Sequence, residues 1–80
     1  MKLTHFEQHE AYQFSLTFEN GEFFEADLQG LIGRYVTEDS LVTARLDKDW
    51  GCLEFLDGRV DIEPKTLYRY VRTKQDIRAA

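Results

Sequence analysis

The chain has 80 residues, of which 42% are hydrophobic, with one cysteine and a net charge of −5. This length predicts a single domain, residues 1–80, whose thin core leaves little room for an enclosed catalytic cleft. The composition excludes a disordered chain, an internal disulfide and a bilayer-spanning segment of roughly 20 apolar residues, and without a signal-peptide core we expect a cytosolic protein.

The first candidate site is a pair of histidines near the N-terminus. His5 and His9 stand four residues apart, with Glu7 and Glu10 nearby. On a helix the two histidines would share a face, which is the spacing that metal-binding histidines use, and on a strand Glu7 would share that face as well. A zinc site normally needs a third or fourth ligand, so we favour a solvated N-terminal segment that holds no metal.

A β-hairpin with a three-residue turn is predicted next. Residues 12–18 alternate strictly between apolar and polar side chains, and residues 23–28 are again strand-like. A three-residue turn places Leu16 opposite Phe24, whereas a two-residue turn would place it opposite a glutamate. The longer turn therefore keeps one apolar face, with Gly21 in the left-handed position of a bulged turn.

Residues 29–39 are less regular and predict a loop with one helical turn. Gly30 and Gly33 match a Gly-x-x-Gly pattern, but no clear helix follows them to present its amides to a phosphate. We interpret both as ordinary turn glycines.

A second meander of strands is predicted over residues 41–62. Residues 41–46 and 51–56 each alternate as strands do, and a two-residue turn at Asp57-Gly58 places Phe55 opposite Val60. The alternation puts one apolar set on the core face: Val42, Leu53, Phe55, Val60 and Ile62. A second set would lie on the other face, either covered by the remaining strands or exposed as a candidate partner surface: Leu41, Trp50, Cys52 and Leu56.

Chemistry at Cys52 is not expected. Together with a histidine it could form a nucleophile–base pair, but nothing in its neighbourhood predicts a lowered thiol pKa. A packed cysteine is the interpretation that we favour.

The C-terminal segment predicts an amphipathic helix over residues 64–74. Pro64 suits a first helical turn, and Leu67, Tyr70 and Val71 form an apolar stripe. The opposite face is a candidate phosphate-contacting face: Lys65, Arg69 and Arg72. The charge is unevenly spread, since residues 1–63 have fourteen acids and five bases, net −9, and residues 64–80 have one acid and five bases, net +4. A solvated basic face that complements the acidic body is therefore the alternative to nucleic-acid binding.

The stretch Gly58-Arg-Val-Asp61-Ile62-Glu-Pro64-Lys-Thr-Leu67-Tyr68 resembles a bacterial family, the domain of unknown function 2442. The pattern Leu16-x-Phe18-x-Asn20-Gly21 and the pair Asp27-Leu28 are similar to that family too, whereas many members carry Trp where this chain has Phe55-Leu56. The resemblance implies a small α+β fold with no assigned catalytic residues or cofactor. Such domains occur as free small proteins, sometimes encoded beside another small protein in what look like toxin–antitoxin pairs, and also in front of helix-turn-helix segments.

The combined prediction is an α+β domain with an antiparallel sheet of about five strands, in two meanders, and a C-terminal amphipathic helix. With no phosphate loop, zinc pattern or catalytic triad, we expect no enzyme, no cofactor, no small-molecule substrate and no membrane association. The predicted function is a protein-interaction module, antitoxin-like in one form, that binds a protein partner or itself. The alternative is nucleic-acid-linked transcriptional regulation through the basic helix face.

Overall fold

The computed structural model describes the backbone of residues 1–79 and the side chains of residues 1–74. Over these residues, two three-stranded antiparallel sheets are followed by one long C-terminal helix. The first sheet contains β1 (Leu3–Gln8), β2 (Gln13–Phe18) and β3 (Phe23–Asp27). The second sheet contains β4 (Arg45–Asp47), β5 (Cys52–Phe55) and β6 (Val60–Ile62). The short α1 (Gln29–Ile32), a 3₁₀ helix (Glu38–Thr43) and the long α2 (Pro64–Ala79) complete the chain.

The α+β class is confirmed, but the strands form two sheets where we expected one, and a sixth strand was missed. The missed strand is β1, which places Phe6 opposite Leu16 of β2. The register of this pair shifts between Leu3 and His5. Such a bulge breaks the two-residue alternation from which a strand is recognised, so the segment looked like a solvated N-terminus.

The turns of both predicted hairpins are confirmed. In the first, Leu16 lies opposite Phe24, and Gly21 has a φ of +88°. In the second, Phe55 lies opposite Val60, and the Arg59 N–H donates to the Leu56 carbonyl at 3.2 Å. Asp57 and Gly58, which lie between Leu56 and Arg59, have φ values of +58° and +88°, as a primed two-residue turn requires.

The predicted strand over residues 41–46 is wrong in its first half, because residues 41–43 belong to the 3₁₀ helix and only residues 45–46 lie in β4. Leu41 is only 2% exposed, whereas Val42, which we placed on the core face, is 84% exposed. The Thr43 hydroxyl donates to the Ser40 carbonyl at 2.6 Å, and two acidic residues occupy the first turn, where the helix dipole favours them. The apolar residues at positions 41, 42, 44 and 46 fit the spacing of a helix as well as the two-residue spacing of a strand, so the sequence pattern alone could not decide between the two.

One hydrophobic core joins both sheets and α2. The rings of Phe14 and Phe55 meet edge to face at 6.1 Å between centroids, which links β2 to β5. From α2, Leu67 and Val71 are fully buried, and Tyr68 packs edge to face on Phe18 at 5.1 Å. The helix thus begins at the predicted proline and buries Leu67 and Val71 of the predicted stripe, whereas Tyr70 is only half-buried. No helix of the described chain is long and apolar enough to cross a membrane.

Candidate interaction surface

A groove runs beside Trp50, between the N-terminus, the outer face of the second sheet and the start of α2. Its volume is about 420 Å³. We call it the Trp50 groove, and its lining residues are Met1, Trp50, Cys52, Asp61, Glu63, Pro64 and Lys65. Trp50 itself is 72% exposed. The groove thus combines an uncovered aromatic ring with carboxylates and a proline.

The strand register explains why these side chains converge. Glu54 of β5 lies opposite Asp61 of β6. Cys52, two residues before Glu54, therefore lies on the same face of the second sheet as Asp61, where its side chain is buried. Glu63 and Pro64 follow as β6 leads directly into α2. Met1 reaches the groove because the Leu3 N–H of β1 donates to the Gly51 carbonyl at 3.1 Å.

The structure does not bring the four residues of the predicted partner surface together. Leu41 is buried within the 3₁₀ helix, so it belongs to the core. Leu56 is half-buried at the end of β5, and its N–H donates to the Thr43 hydroxyl at 2.8 Å. Of these four residues, only Trp50 and Cys52 line the Trp50 groove. Asp61 and Glu63 were missed as surface residues, although their alternation with Ile62 in the sequence indicated that they share a solvent-facing side.

Cys52 is a packed thiol and not an activated one. It is 7% exposed, and burial raises its pKa to about 11, with the Asp61 hydrogen bond and the charges of Asp47 and Glu54 acting in the same direction. The thiolate is the nucleophilic form of cysteine, and the raised pKa keeps Cys52 in the less nucleophilic thiol form at neutral pH.

The carboxylates around this face differ in their pairing. Arg45 contacts Glu54 at 2.9 Å and Asp57 at 3.3 Å, and the Glu54 hydrogen bond raises the pKa of the guanidinium. Within the part of the chain whose side chains are described, neither Asp61 nor Glu63 forms an ion pair. Among the described side chains, no cation is in direct contact with the Asp61 or Glu63 carboxylate, although Lys65 lines the same groove.

The predicted basic face forms a second groove along α2. Lys65, Arg69 and Arg72 line it together with Tyr68 and Thr73, and its volume is about 460 Å³. We call it the basic groove. The three cations of the candidate phosphate-contacting face thus line one groove, and their contact with phosphate stays a prediction.

Arg72 of the basic groove is engaged within the molecule. Its Nη1 lies 3.7 Å from a Glu22 carboxylate oxygen and donates to the Tyr68 hydroxyl at 3.1 Å. The Tyr68 hydroxyl in turn donates to Glu22. This hydrogen bond, with smaller contributions from Asn20 and Arg72, lowers the pKa of Glu22. Arg72 therefore helps to fasten α2 to the first hairpin.

The two histidines have separate partners. His5 Nε2 lies 3.9 Å from a Glu7 carboxylate oxygen, whereas His9 Nε2 lies 2.7 Å from the Ser15 hydroxyl. Among the described residues no group of three or more metal-ligating side chains comes together. His5 and Glu7 lie in β1 and share one of its faces, whereas His9 lies beyond the end of this strand.

No protein-family model, curated protein or solved structure matches the chain. The resemblance to the domain of unknown function 2442 family stays a prediction that rests on the motif residues. In the structure that motif spans the second hairpin turn, β6 and the first turn of α2. Four of its residues line the Trp50 groove: Asp61, Glu63, Pro64 and Lys65.

Proposed function

We propose that this protein is a non-catalytic protein-interaction module whose contact surface is the Trp50 groove. The observation that carries the proposal is the exposure of Trp50 beside a proline and two carboxylates in a concave surface. Large exposed apolar side chains are costly to leave in water, and tryptophan is over-represented among the residues that dominate binding energy in interfaces. A partner that covers Trp50 would remove this apolar surface from water.

The chemistry of the side chains supports the non-catalytic part of the proposal. The raised pKa of Cys52 disfavours nucleophilic catalysis. His9 cannot serve as its base, because it contacts the Ser15 hydroxyl of the first sheet, whereas Cys52 lies in the second sheet. The resemblance to a family that includes pairs of adjacent small genes supports an antitoxin-like form of the module. We therefore propose that the partner is a small cytosolic protein encoded by a neighbouring gene.

Co-expression with the products of the neighbouring genes tests this proposal. We expect one product to co-purify with the chain, and we expect Trp50→Ala to weaken the purified complex by about 2 kcal/mol, or roughly 30-fold in Kd by calorimetry. Val42→Ala is the matched control, because Val42 is another highly exposed apolar side chain, outside the Trp50 groove. Equal affinity of the Trp50→Ala and Val42→Ala variants would contradict the proposal.

The alternative is nucleic-acid binding through the basic groove. The observation in its favour is that Lys65 and Arg69 form no ion pair with any described side chain. The net charge of −9 over residues 1–63 and the engagement of Arg72 by Glu22 weigh against it.

Fluorescence anisotropy with a short DNA duplex in low salt tests the alternative. If Lys65 and Arg69 contact phosphates, the slope of log K against log salt falls by about 0.9 for each cation replaced by glutamine. Arg34→Gln serves as the control, since Arg34 is exposed outside the basic groove. Absence of binding in low salt would exclude this function.

A further inference from the structure

The Trp50 groove and the basic groove are neighbours that differ in their charged side chains, since the first has two carboxylates beside Lys65 and the second has three cations and no carboxylate. Lys65 lines both of them, so the two grooves adjoin at the first turn of α2. On one side of Lys65 lie Asp61 and Glu63, and on the other side lies Arg69. A single surface of the molecule therefore carries an acidic, aromatic half and a basic half.

We propose that this surface is the interface of a two-fold symmetric dimer, in which the Trp50 groove of each copy receives the basic groove of the other. The inference rests on the proposed function, and it adds a second copy of this chain as a further partner of the Trp50 groove. In a two-fold symmetric interface every contact occurs twice. If the Trp50 groove of the first copy contacts the basic groove of the second, then the basic groove of the first contacts the Trp50 groove of the second. Two adjoining patches with complementary charged side chains satisfy this condition when the axis passes between them.

Charge complementarity favours this occupant. Asp61 and Glu63 form no ion pair with described side chains of their own chain, and neither does Arg69. In the dimer the unpaired carboxylates of one copy face the unpaired guanidinium of the other, which steers association and suppresses the opposite orientation. The aromatic ring of Trp50 gains a cation near its face, an arrangement that tryptophan favours most among the aromatic side chains.

The position of Lys65 gives the dimer a distinctive signature. Because Lys65 lines both grooves, the lysines of the two copies come close to each other at the two-fold axis. Like charges that approach each other oppose association. Removal of the Lys65 charge is therefore expected to strengthen the dimer, whereas removal of the Arg69 charge weakens it, although both residues are basic and lie on the same helix face.

The dimer is expected to be weak. Stable interfaces bury about 800 Å² on each partner, and the molecule measures 35 × 25 × 18 Å, so such an area would need most of one broad side. Two adjoining grooves cover less than that. We expect dissociation in the micromolar range, with an affinity that falls as salt rises.

Sedimentation equilibrium of the full chain over a range of concentrations and salt tests the proposal. We expect a monomer–dimer equilibrium for the unmodified chain, at least tenfold weaker association for Glu63→Lys and for Arg69→Glu alone, and recovery when these two variants are mixed. Recovery follows because the mixed dimer pairs the two introduced side chains, of opposite charge, on one side of the axis and retains the native pair on the other. Lys65→Gln should strengthen association.

Glu38→Lys and Arg34→Glu are the matched controls, with equivalent charge changes at exposed positions outside both grooves. If a charge-reversal variant fails to fold by circular dichroism, the neutral Glu63→Gln and Arg69→Gln variants replace the pair, and each should weaken association.

Three outcomes would overturn the dimer: a monomer at all concentrations, association unchanged by Glu63 and Arg69 variants, or no recovery in the mixture. None of these decides the proposed function. A partner that is lost on Trp50→Ala would support an interaction module that is monomeric before it binds. Loss of both self-association and all partner binding would end both proposals.

Discussion

At the scale of single residues, the close approach of β1 to the turn before β5 depends on Gly51. Its φ is +73°, and a Cβ built there would lie 2.7 Å from the Lys2 Cα. A side chain at position 51 would therefore be strained by the left-handed backbone and by the collision, which cannot be relieved easily because the Lys2 Cα is a backbone atom and not the end of a flexible side chain. The contact also holds the N-terminal residue that lines the Trp50 groove.

The first prediction concerns Gly51→Ala. The left-handed conformation alone costs an alanine about 1–2 kcal/mol, and the collision with Lys2 adds to it, so we expect at least about 2 kcal/mol of destabilisation. Thermal unfolding should show a Tm lower by roughly 8 °C or more. Gly21→Ala is the control, because its φ is +88° but nothing lies within 4 Å of the added Cβ. Equal losses in both variants would show that the Lys2 contact is unimportant.

At the scale of elements, the 3₁₀ helix and α2 are fixed to the sheets by different means. The 3₁₀ helix buries one apolar side chain, Leu41, and leaves Val42 in solvent. The helix α2 buries Leu67 and Val71, and it is also fastened at its side by the network of Glu22, Tyr68 and Arg72. The attachment of the 3₁₀ helix is therefore apolar and insensitive to pH, whereas the attachment of α2 includes the titrating carboxylate of Glu22.

The second prediction separates the 3₁₀ helix from the strand expected over residues 41–46. Leu41→Ala should cost about 2–5 kcal/mol of unfolding free energy, because it leaves a cavity in the core. Val42→Ala should change it by no more than about 0.5 kcal/mol, since its side chain is exposed. Urea unfolding followed by tryptophan fluorescence measures both. A strand with Val42 directed inward would reverse the order.

The third prediction concerns the pH dependence of the α2 attachment. The pKa of Glu22 is lowered from 4.5, chiefly by the Tyr68 hydrogen bond, so the charged carboxylate stabilises the fold. Stabilisation from a lowered pKa is fully present above the unfolded value of 4.5 and is lost as pH falls through the folded pKa. The difference in stability between the unmodified chain and Glu22→Gln should therefore be largest near neutral pH.

Urea unfolding at a series of pH values measures this difference, which should shrink towards zero in acid. Glu7→Gln is the control: Glu7 is an exposed strand carboxylate outside this network. A constant difference between the Glu22 variant and the parent at all pH values would exclude the carboxylate as the titrating group.

At the scale of the whole molecule, the two sheets are separate in hydrogen bonding but continuous in packing. The edge-to-face contact of Phe14 with Phe55 and the burial of Leu67 place side chains of both sheets and α2 in one core. A core shared in this way couples the stability of its parts, because loss of one sheet exposes the apolar face of the other.

The fourth prediction is that the two sheets unfold together. Amide hydrogen exchange in increasing denaturant should show β2 and β5 opening with the same free energy, and Leu67→Ala should lower both by a similar amount. A variant of an exposed α2 position, Thr66→Ala, should leave both nearly unchanged. Separate opening free energies for the two sheets would contradict a shared core.

The sequence by itself determined the features that depend on neighbouring residues. The registers of both hairpins followed from alternation and turn length, since a shift of one residue would expose an apolar face. The start of α2 followed from Pro64, and the buried stripe of Leu67 and Val71 followed from helical spacing. These are local preferences that the tertiary structure did not override.

Only the tertiary structure decided the features that depend on residues far apart in the chain. A bulge concealed β1, and an ambiguous period concealed the 3₁₀ helix, because each becomes recognisable only when the core shows which side chains it buries. The Trp50 groove, too, could not be predicted from the sequence, because the residues that line it are far apart in the chain. Its walls come from the N-terminus, the second sheet and α2, and no local sequence pattern indicates that Met1 and Glu63 line one groove beside Trp50.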